Sequence, residues 1–272
     1  MYLWAHSKQG IFILMELNYK KIGESGPAIV ILHGVFGMLD NWLTMAKNIA
    51  VHGYTLYLVD QRNHGRSPHS DEHNYTVLAD DLKVFIETHQ LEAPILIGHS
   101  MGGKSVMQFS TNHPDAFSKL VIVDIAPRLS RVNNDDILRG LNAMKLDEIK
   151  SRNDAEQFME AYEPSQGVRQ FLLKNLYRKE NGGFGWRFNL SALTENMDKV
   201  GFAIEPGHQV TAPTLFMRGG NSRYVKENDW DEIIELFPNA RLVTIPGAGH
   251  WIQAEQPALF EEALMEFLTA TI

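Results

Sequence analysis

Apolar and polar residues come in blocks along this chain, and the blocks read alternately as strands and helices. Ala28–Leu32, Thr55–Asp60, Ile95–Ile97, Lys119–Asp124, Thr214–Met217 and Arg241–Ile245 are short runs dominated by β-branched and aliphatic side chains. Such runs suit strands buried on both faces of a parallel sheet. Glu16–Lys21 alternates like an edge strand and leads into a turn, Gly23-Glu24-Ser25-Gly26-Pro27. Helical patterns fill the intervals at about 41–50, at Tyr75–His89 and at Ser105 to about Asn112, and Pro257–Ala270 closes the chain. In the second of these, Leu78, Leu82 and Ile86 recur at i, i+4 and i+8, the spacing of one helix face. Strands alternating with helices predict the α/β class, with a doubly wound, mainly parallel sheet.

The interval from Ala126 to Gln209 breaks this rhythm. It carries helical patterns at Asp135–Leu146, Asp154–Tyr162, Val168–Tyr177 and Leu190–Val200, a Gly-rich Trp186-Arg187-Phe188 segment and no clear buried strand. Its expected form is a helical cap, residues 126–208, inserted between core strands at 15–125 and 209–272. Residues 1–14 read as an N-terminal extension. They lack the basic segment and small-residue cleavage site of a signal peptide, and Met15 offers a second start.

One apolar run breaks abruptly: Ile95-Leu96-Ile97 leads into Gly98-His99-Ser100-Met101-Gly102-Gly103-Lys104. G-x-S-x-G between a buried strand and a helix is the nucleophile elbow. The serine stands in a strained turn that projects its hydroxyl, and strand and helix pass so closely that small residues are required either side. The helix N-terminus behind it offers unpaired N–H groups where an oxyanion would form. The bland alternative is a Gly-rich turn without chemistry.

Composition narrows the partners. With 272 residues, 44% apolar and 21% charged, the chain has the make-up of a globular protein. A net charge of −8 disfavours nucleic acid and anionic membranes. No run approaches the ~18–20 apolar residues that span a bilayer, so no membrane insertion is expected and the cytoplasm is the expected location. There is no cysteine, which excludes disulfides and thiolate chemistry. Oligomeric state is not legible.

The serine hydroxyl needs a base. Of eleven histidines, His250 lies in Pro246-Gly247-Ala248-Gly249-His250 after the last strand, at the sheet edge where such folds hold their sites. His33, His64 and His99 belong to loop motifs and read as braces; His6, His69, His73, His89 and His208 read as surface residues. The oxyanion donors are expected to be the backbone N–H of Met101 and of Val35, with Phe36 as the second choice for the latter. Phe36 and Trp251 are candidates for the substrate pocket, against ordinary core packing. Phe158, Tyr162, Phe171, Trp186 and Phe188 could roof it, though cap core is the commoner fate of such residues.

Taken together, His33-Gly34-Val35-Phe36-Gly37, Asp60-Gln61-Arg62-Asn63-His64-Gly65-Arg66-Ser67, the elbow and Gly247-Ala248-Gly249-His250-Trp251 resemble the α/β-hydrolase fold superfamily. Lys104 after the double glycine, Asp124-Ile125-Ala126-Pro127 and Gly219-Gly220-Asn221-Ser222 resemble its YbfF-type esterases and abhydrolase-domain relatives. The resemblance implies a serine hydrolase with no cofactor or metal, acting on a small-molecule ester or thioester. A carbon–carbon hydrolase, a perhydrolase, a menaquinone-pathway lyase and a non-catalytic scaffold share the pattern.

The chain departs from the superfamily at the acid. No carboxylate occupies the usual G-x-x-D turn after Leu215-Phe216-Met217; Asn221 and Ser222 stand there. Asp124, one strand earlier and still between Ser100 and His250 in order, is the expected acid, as the resemblance also implies. Glu227 and Asp229 are the alternatives.

Overall fold

A computed structural model describes residues 2–7, 10–130, 134–180 and 182–270, with side chains described from Met15 onward. Eleven strands are present among these residues: β1 (Tyr2–Ser7), β2 (Gly10–Met15), β3 (Tyr19–Ile22), β4 (Ala28–Leu32), β5 (Thr55–Val59), β6 (Ile95–His99), β7 (Lys119–Val123), β8 (Leu176–Arg178), β9 (Phe184–Trp186), β10 (Thr214–Gly219) and β11 (Ala240–Ile245). The helices are α1 (Leu43–Ala50), α2 (Tyr75–Thr88), α3 (Met101–Asn112), α4 (Asp135–Ala143), α5 (Arg152–Met159), α6 (Gln166–Leu173), α7 (Leu190–Gly201), α8 (Trp230–Leu236), α9 (Ile252–Glu255) and α10 (Pro257–Thr269).

Seven strands form one sheet in the order β11-β10-β7-β6-β4-β5-β3, parallel throughout except for the antiparallel edge strand β3. The apolar runs explain this layering because their alternate residues feed opposite faces. Ile29, Ile31, Leu56, Leu58, Ile97, Val121 and Met217 pack against α1 and α10. Val30, Leu32, Leu96, Leu120, Ile122 and Phe216 pack against α2, α3 and α8. A strand with core on both faces admits no polar alternation, which is why these segments read as continuous apolar runs.

Three expectations change. The expected edge strand starts three residues later, at Tyr19, and pairs with β5. Within the expected extension, β1 and β2 form an antiparallel pair, with Tyr2 opposite Met15. Met15 itself is buried in the core. In the segment 126–208, where no strand was expected, β8 and β9 make a small antiparallel pair. Three-residue strands are too short to show a period of two, so the pattern could not betray them.

This segment, comprising α4–α7 and the β8–β9 pair, has its own apolar cluster. Leu138, Leu141, Met159, Leu172, Phe188 and Leu193 gather there with Phe36, Tyr75 and Met101 from the sheet side. Its two ends are tied to α3 by one buried side chain. Lys104 Nζ donates to the carbonyl of Arg128 (2.9 Å) at the start of the segment, and to those of Gly201 (3.0 Å) and Phe202 (2.5 Å) at the end of α7. The cation meets the carbonyl end of α7, where the helix dipole favours it. Burial, and then the nearby Arg128 charge, push its pKa down to about 7. Among the described residues, no helix is long and apolar enough to cross a membrane.

Replacing Lys104 by Met strips three carbonyls of their donor in a dry setting. Lys104→Met is expected to cost about 2–4 kcal/mol. In urea denaturation the midpoint should fall with little change in slope; an unshifted midpoint would contradict this account.

Candidate active site

Ser100 follows β6 and caps α3 with φ 54° and ψ −118°, outside the regions a side chain prefers. The turn is held from both sides: Ser100 N–H donates to Val123 O, and its own carbonyl accepts from Lys104 N–H. The glycines beside it are sterically required. A Cβ on Gly98 would lie 2.3 Å from Gly102 O, and one on Gly102 would lie 2.5 Å from Leu32 O. The helix begins immediately after the serine, four residues earlier than its apolar pattern suggested, because those glycines obscure the period.

Asp124, at the end of β7, is fully buried and also has a positive φ of 52°. Its carboxylate is completely engaged. Oδ1 accepts from Gly219 N–H (3.0 Å), while Oδ2 accepts from the Ser222 hydroxyl and from His250 Nδ1 (2.7 Å). A buried carboxylate needs such partners to stay ionised. The residues Asn221 and Ser222 stand where the usual acid is missing. Ser222 supports Asp124 rather than touching the imidazole.

The alternative acids lie elsewhere. Asp229 is held by the Arg128 guanidinium and by Lys226 N–H, and the exposed Glu227 reaches only Arg218, at 4.0 Å. Two further residues shape the His250 loop and were not anticipated. The Tyr224 ring stacks on the imidazole at 4.0 Å, and burial, then the Asp124 charge, raise its phenol pKa. Glu255 accepts from Gly249 N–H (2.7 Å) and Trp251 N–H (3.0 Å), clamping the loop on both sides of His250. A carboxylate five residues past a Gly-Ala-Gly-His loop was the available signal.

The His33–Gly37 loop lies against the serine: a Cβ on Gly34 would stand 3.2 Å from Ser100 Cβ. Phe36 N–H donates to His64 Nε2 (3.2 Å), so it is engaged. His64 Nδ1 in turn donates to Arg62 O (2.9 Å). His33 donates from Nδ1 to Gly34 O and accepts from Gln61 N–H at Nε2. His99 Nε2 donates to His250 O (2.8 Å), joining the elbow to the last loop. His73, expected at the surface, is instead buried with Nε2 3.4 Å from Met101 Sδ. Its polar neighbours Asp71, Glu72 and Asn74 concealed this.

Burial lowers the pKa of all four of these histidines. His99 and His73 are pushed to about 3, aided next by the charges of His250 and Arg62 respectively.

Ser100, Met101, Val35, Phe36, His250 and Trp251 all line one cavity of about 620 Å³. Its wall continues through Ile125, Ile137, Leu172 and Val200. Of the five aromatic residues considered as a roof, Phe171 alone contributes, its ring 5.5 Å from that of Trp251. Phe158 stacks on Tyr162, and Trp186 on Phe188. Among the described residues, no three His, Asp or Glu side chains gather as metal donors.

A parallel sheet with a serine elbow, and a His–Asp pair on later loops at one cavity, define a class of hydrolase scaffold. Residues 27–257 match the α/β hydrolase fold, and the chain belongs to that family. Within it, the chain stands with hydrolases of the carboxylesterase type. It is 38% identical over 250 residues to the sn-1-specific diacylglycerol lipase ABHD11 of Mus musculus, covering 89% of this chain and 81% of that one. It is 38% identical over 242 residues to the esterase YbfF of Escherichia coli K12, covering 88% and 92%. The solved structure of a marine microorganism esterase shares 41% identity with a TM-score of 0.91, covering 93% of this chain and 99% of that one.

The four buried histidines set an acid limit on stability. Their folded pKa lies below the free value of 6.5, so only the unfolded chain takes up these protons as the pH drops. The stability is fully present above pH 6.5 and is lost toward pH 3. His73 and His99 together should remove on the order of 2–3 kcal/mol per pH unit below about 6. Guanidinium melts at pH 7.5, 6 and 5 measure the slope, and His73→Phe should flatten it by one proton. A profile level down to pH 5 would refute the assignment.

Proposed function

We propose that the protein is a serine esterase with Ser100 as nucleophile, His250 as general base and acid, and Asp124 as the orienting carboxylate. The observation that carries this reading is the 2.7 Å hydrogen bond from His250 Nδ1 to a fully buried Asp124, in a loop that lines the same cavity as Ser100. With Nδ1–H committed to Asp124, Nε2 is left to take the serine proton.

Ser100 Oγ attacks the ester carbonyl as its proton passes to His250. The oxyanion is received by the N–H groups of Met101, at the first turn of α3, and of Val35. Val35 is favoured over Phe36 because the Phe36 N–H already donates to His64. His250 then protonates the departing alcohol or thiol, leaving an acyl group on Ser100. Water, deprotonated by His250, attacks that acyl group, releases the acid and restores the serine. Each oxyanion donor contributes roughly 3–4 kcal/mol to the transition state.

The segment 126–208 acts as a cap over this site, supplying Ile137, Leu172, Phe171 and Val200 to the cavity wall. A cavity of about 620 Å³ with mostly apolar walls suits small to medium acyl chains. The esterase and lipase relatives support ester substrates.

A fluorophosphonate probe should label the wild type and not Ser100→Ala. Asp124→Asn should lower kcat by about 10⁴-fold, because the imidazole loses its tautomer. Glu227→Gln should stay near wild type. If Asp124→Asn retains activity while Glu227→Gln or Asp229→Asn loses it, the acid is misassigned. A series of acyl-chain lengths on p-nitrophenyl esters and coenzyme A thioesters reads the pocket; preference for chains too long for the cavity would overturn the size assignment.

A further inference from the structure

Hydrogen bonds fix most of His250. Glu255 holds the N–H groups on either side of it, His99 holds its carbonyl, and Asp124 holds ring Nδ1. One freedom remains. The outer torsion of a histidine side chain is broad, and a hydrogen bond at one ring atom restrains the ring plane only loosely. A base must nevertheless keep its other nitrogen within hydrogen-bond reach of the hydroxyl whose proton it takes.

The ring plane is set by a contact of another kind. Tyr224 lies face to face with the imidazole, the ring centroids 4.0 Å apart and the planes 25° from parallel. Two other rings near His250 do not stack on it: His99 is tilted by 44° at 4.7 Å, and Trp251 meets it at 64° and 5.7 Å. Tyr224 is itself placed by main-chain bonds. Its N–H donates to Ser222 Oγ (3.3 Å), the hydroxyl that also donates to Asp124, and its carbonyl accepts from Arg128 Nη2 (3.4 Å). One loop thus gives the carboxylate a donor and the imidazole an aromatic face. Burial, then the Asp124 charge, raise the Tyr224 pKa, so the ring is a neutral phenol at neutral pH.

An aromatic face is the negative side of a quadrupole and attracts a cation more than a neutral ring. In triad chemistry the imidazole is neutral before the serine proton reaches it and cationic afterwards. A stacked phenol favours the second state over the first, and an interaction that strengthens toward the transition state raises kcat rather than binding. On the serine-esterase reading above, we propose that Tyr224 is a positioning residue for the reaction: its ring holds the imidazole plane and stabilises the imidazolium, and its hydroxyl takes no part.

Substitutions that separate the ring from the hydroxyl test this. Tyr224→Leu and Tyr224→Met remove the aromatic face and should lower kcat for p-nitrophenyl butyrate by about 10-fold, with KM within about 2-fold of wild type. Tyr224→Phe restores the face, and this conservative change should bring kcat back to within about 2-fold of wild type. The rate constant for fluorophosphonate labelling of Ser100, which needs the imidazole but no ester substrate, should follow the same order. Labelling amplitude counts folded sites, so a variant that folds poorly loses amplitude and leaves the rate constant readable. In a His250→Ala background, Tyr224→Leu should change the residual turnover by less than about 2-fold, because the ring then has nothing to act through.

The proposal is overturned if Tyr224→Phe loses as much as Tyr224→Leu, a result that would put the hydroxyl to work on the substrate. It is equally overturned if the Leu and Met variants lose only in KM, keep the wild-type kcat, or cost the same factor without His250. Failure of the esterase reading looks different: the wild type itself would then resist the fluorophosphonate at Ser100 and turn over no p-nitrophenyl ester.

Discussion

The structure around the cavity depends on satisfying one carboxylate inside the protein. Asp124 has no solvent exposure, so its oxygens are matched only by donors that neighbouring segments supply. Gly219 N–H and the Ser222 hydroxyl come from the end of β10 and the loop after it, and His250 from the loop after β11. Each is brought in by a parallel strand ending at the same sheet edge. The positive φ of Asp124 turns the chain sharply as β7 ends, and its own N–H donates to Met217 O in β10. The electrostatic need of one group thereby sets the conformation of three loops.

Those loops are not independent of the helical segment above the sheet. Arg128, just after β7, pairs with Asp229 and reaches Tyr224 O, in the same loop that carries Ser222. Its carbonyl accepts from Lys104 on the helix that follows Ser100. The point where the chain leaves the core for residues 126–208 is therefore bonded both to the elbow helix and to the loop supporting Asp124. The buried Lys104 and the half-buried Arg128 serve as fasteners here because carbonyls and carboxylates, and not apolar contacts, are what the loop ends present.

The interior histidines show the same logic in neutral form. His33, His64 and His99 each use ring nitrogens to join main-chain atoms of different loops. Burial keeps them uncharged, and a neutral ring can donate at one nitrogen and accept at the other. They hold the Gly34–Phe36 turn and the His250 loop beside Ser100.

The order of the core strands, the mainly parallel sheet and the serine elbow could be read from the sequence because each rests on local rules. Apolar runs of five residues mean strands with two buried faces, and glycines at fixed offsets mean backbones in close contact. Asp124 was singled out by elimination, from a missing carboxylate after β10 and a lone one at the end of β7, and the structure sets it against His250. What only the tertiary structure decided concerns partners distant in sequence. The role of Ser222 beneath Asp124, the stacking of Tyr224 on His250, the burial of His73 and the Lys104 fastening depend on segments from 24 to 98 residues apart. Periodicity reports whether a side chain faces inward, but it carries no information about which atom waits on the other side.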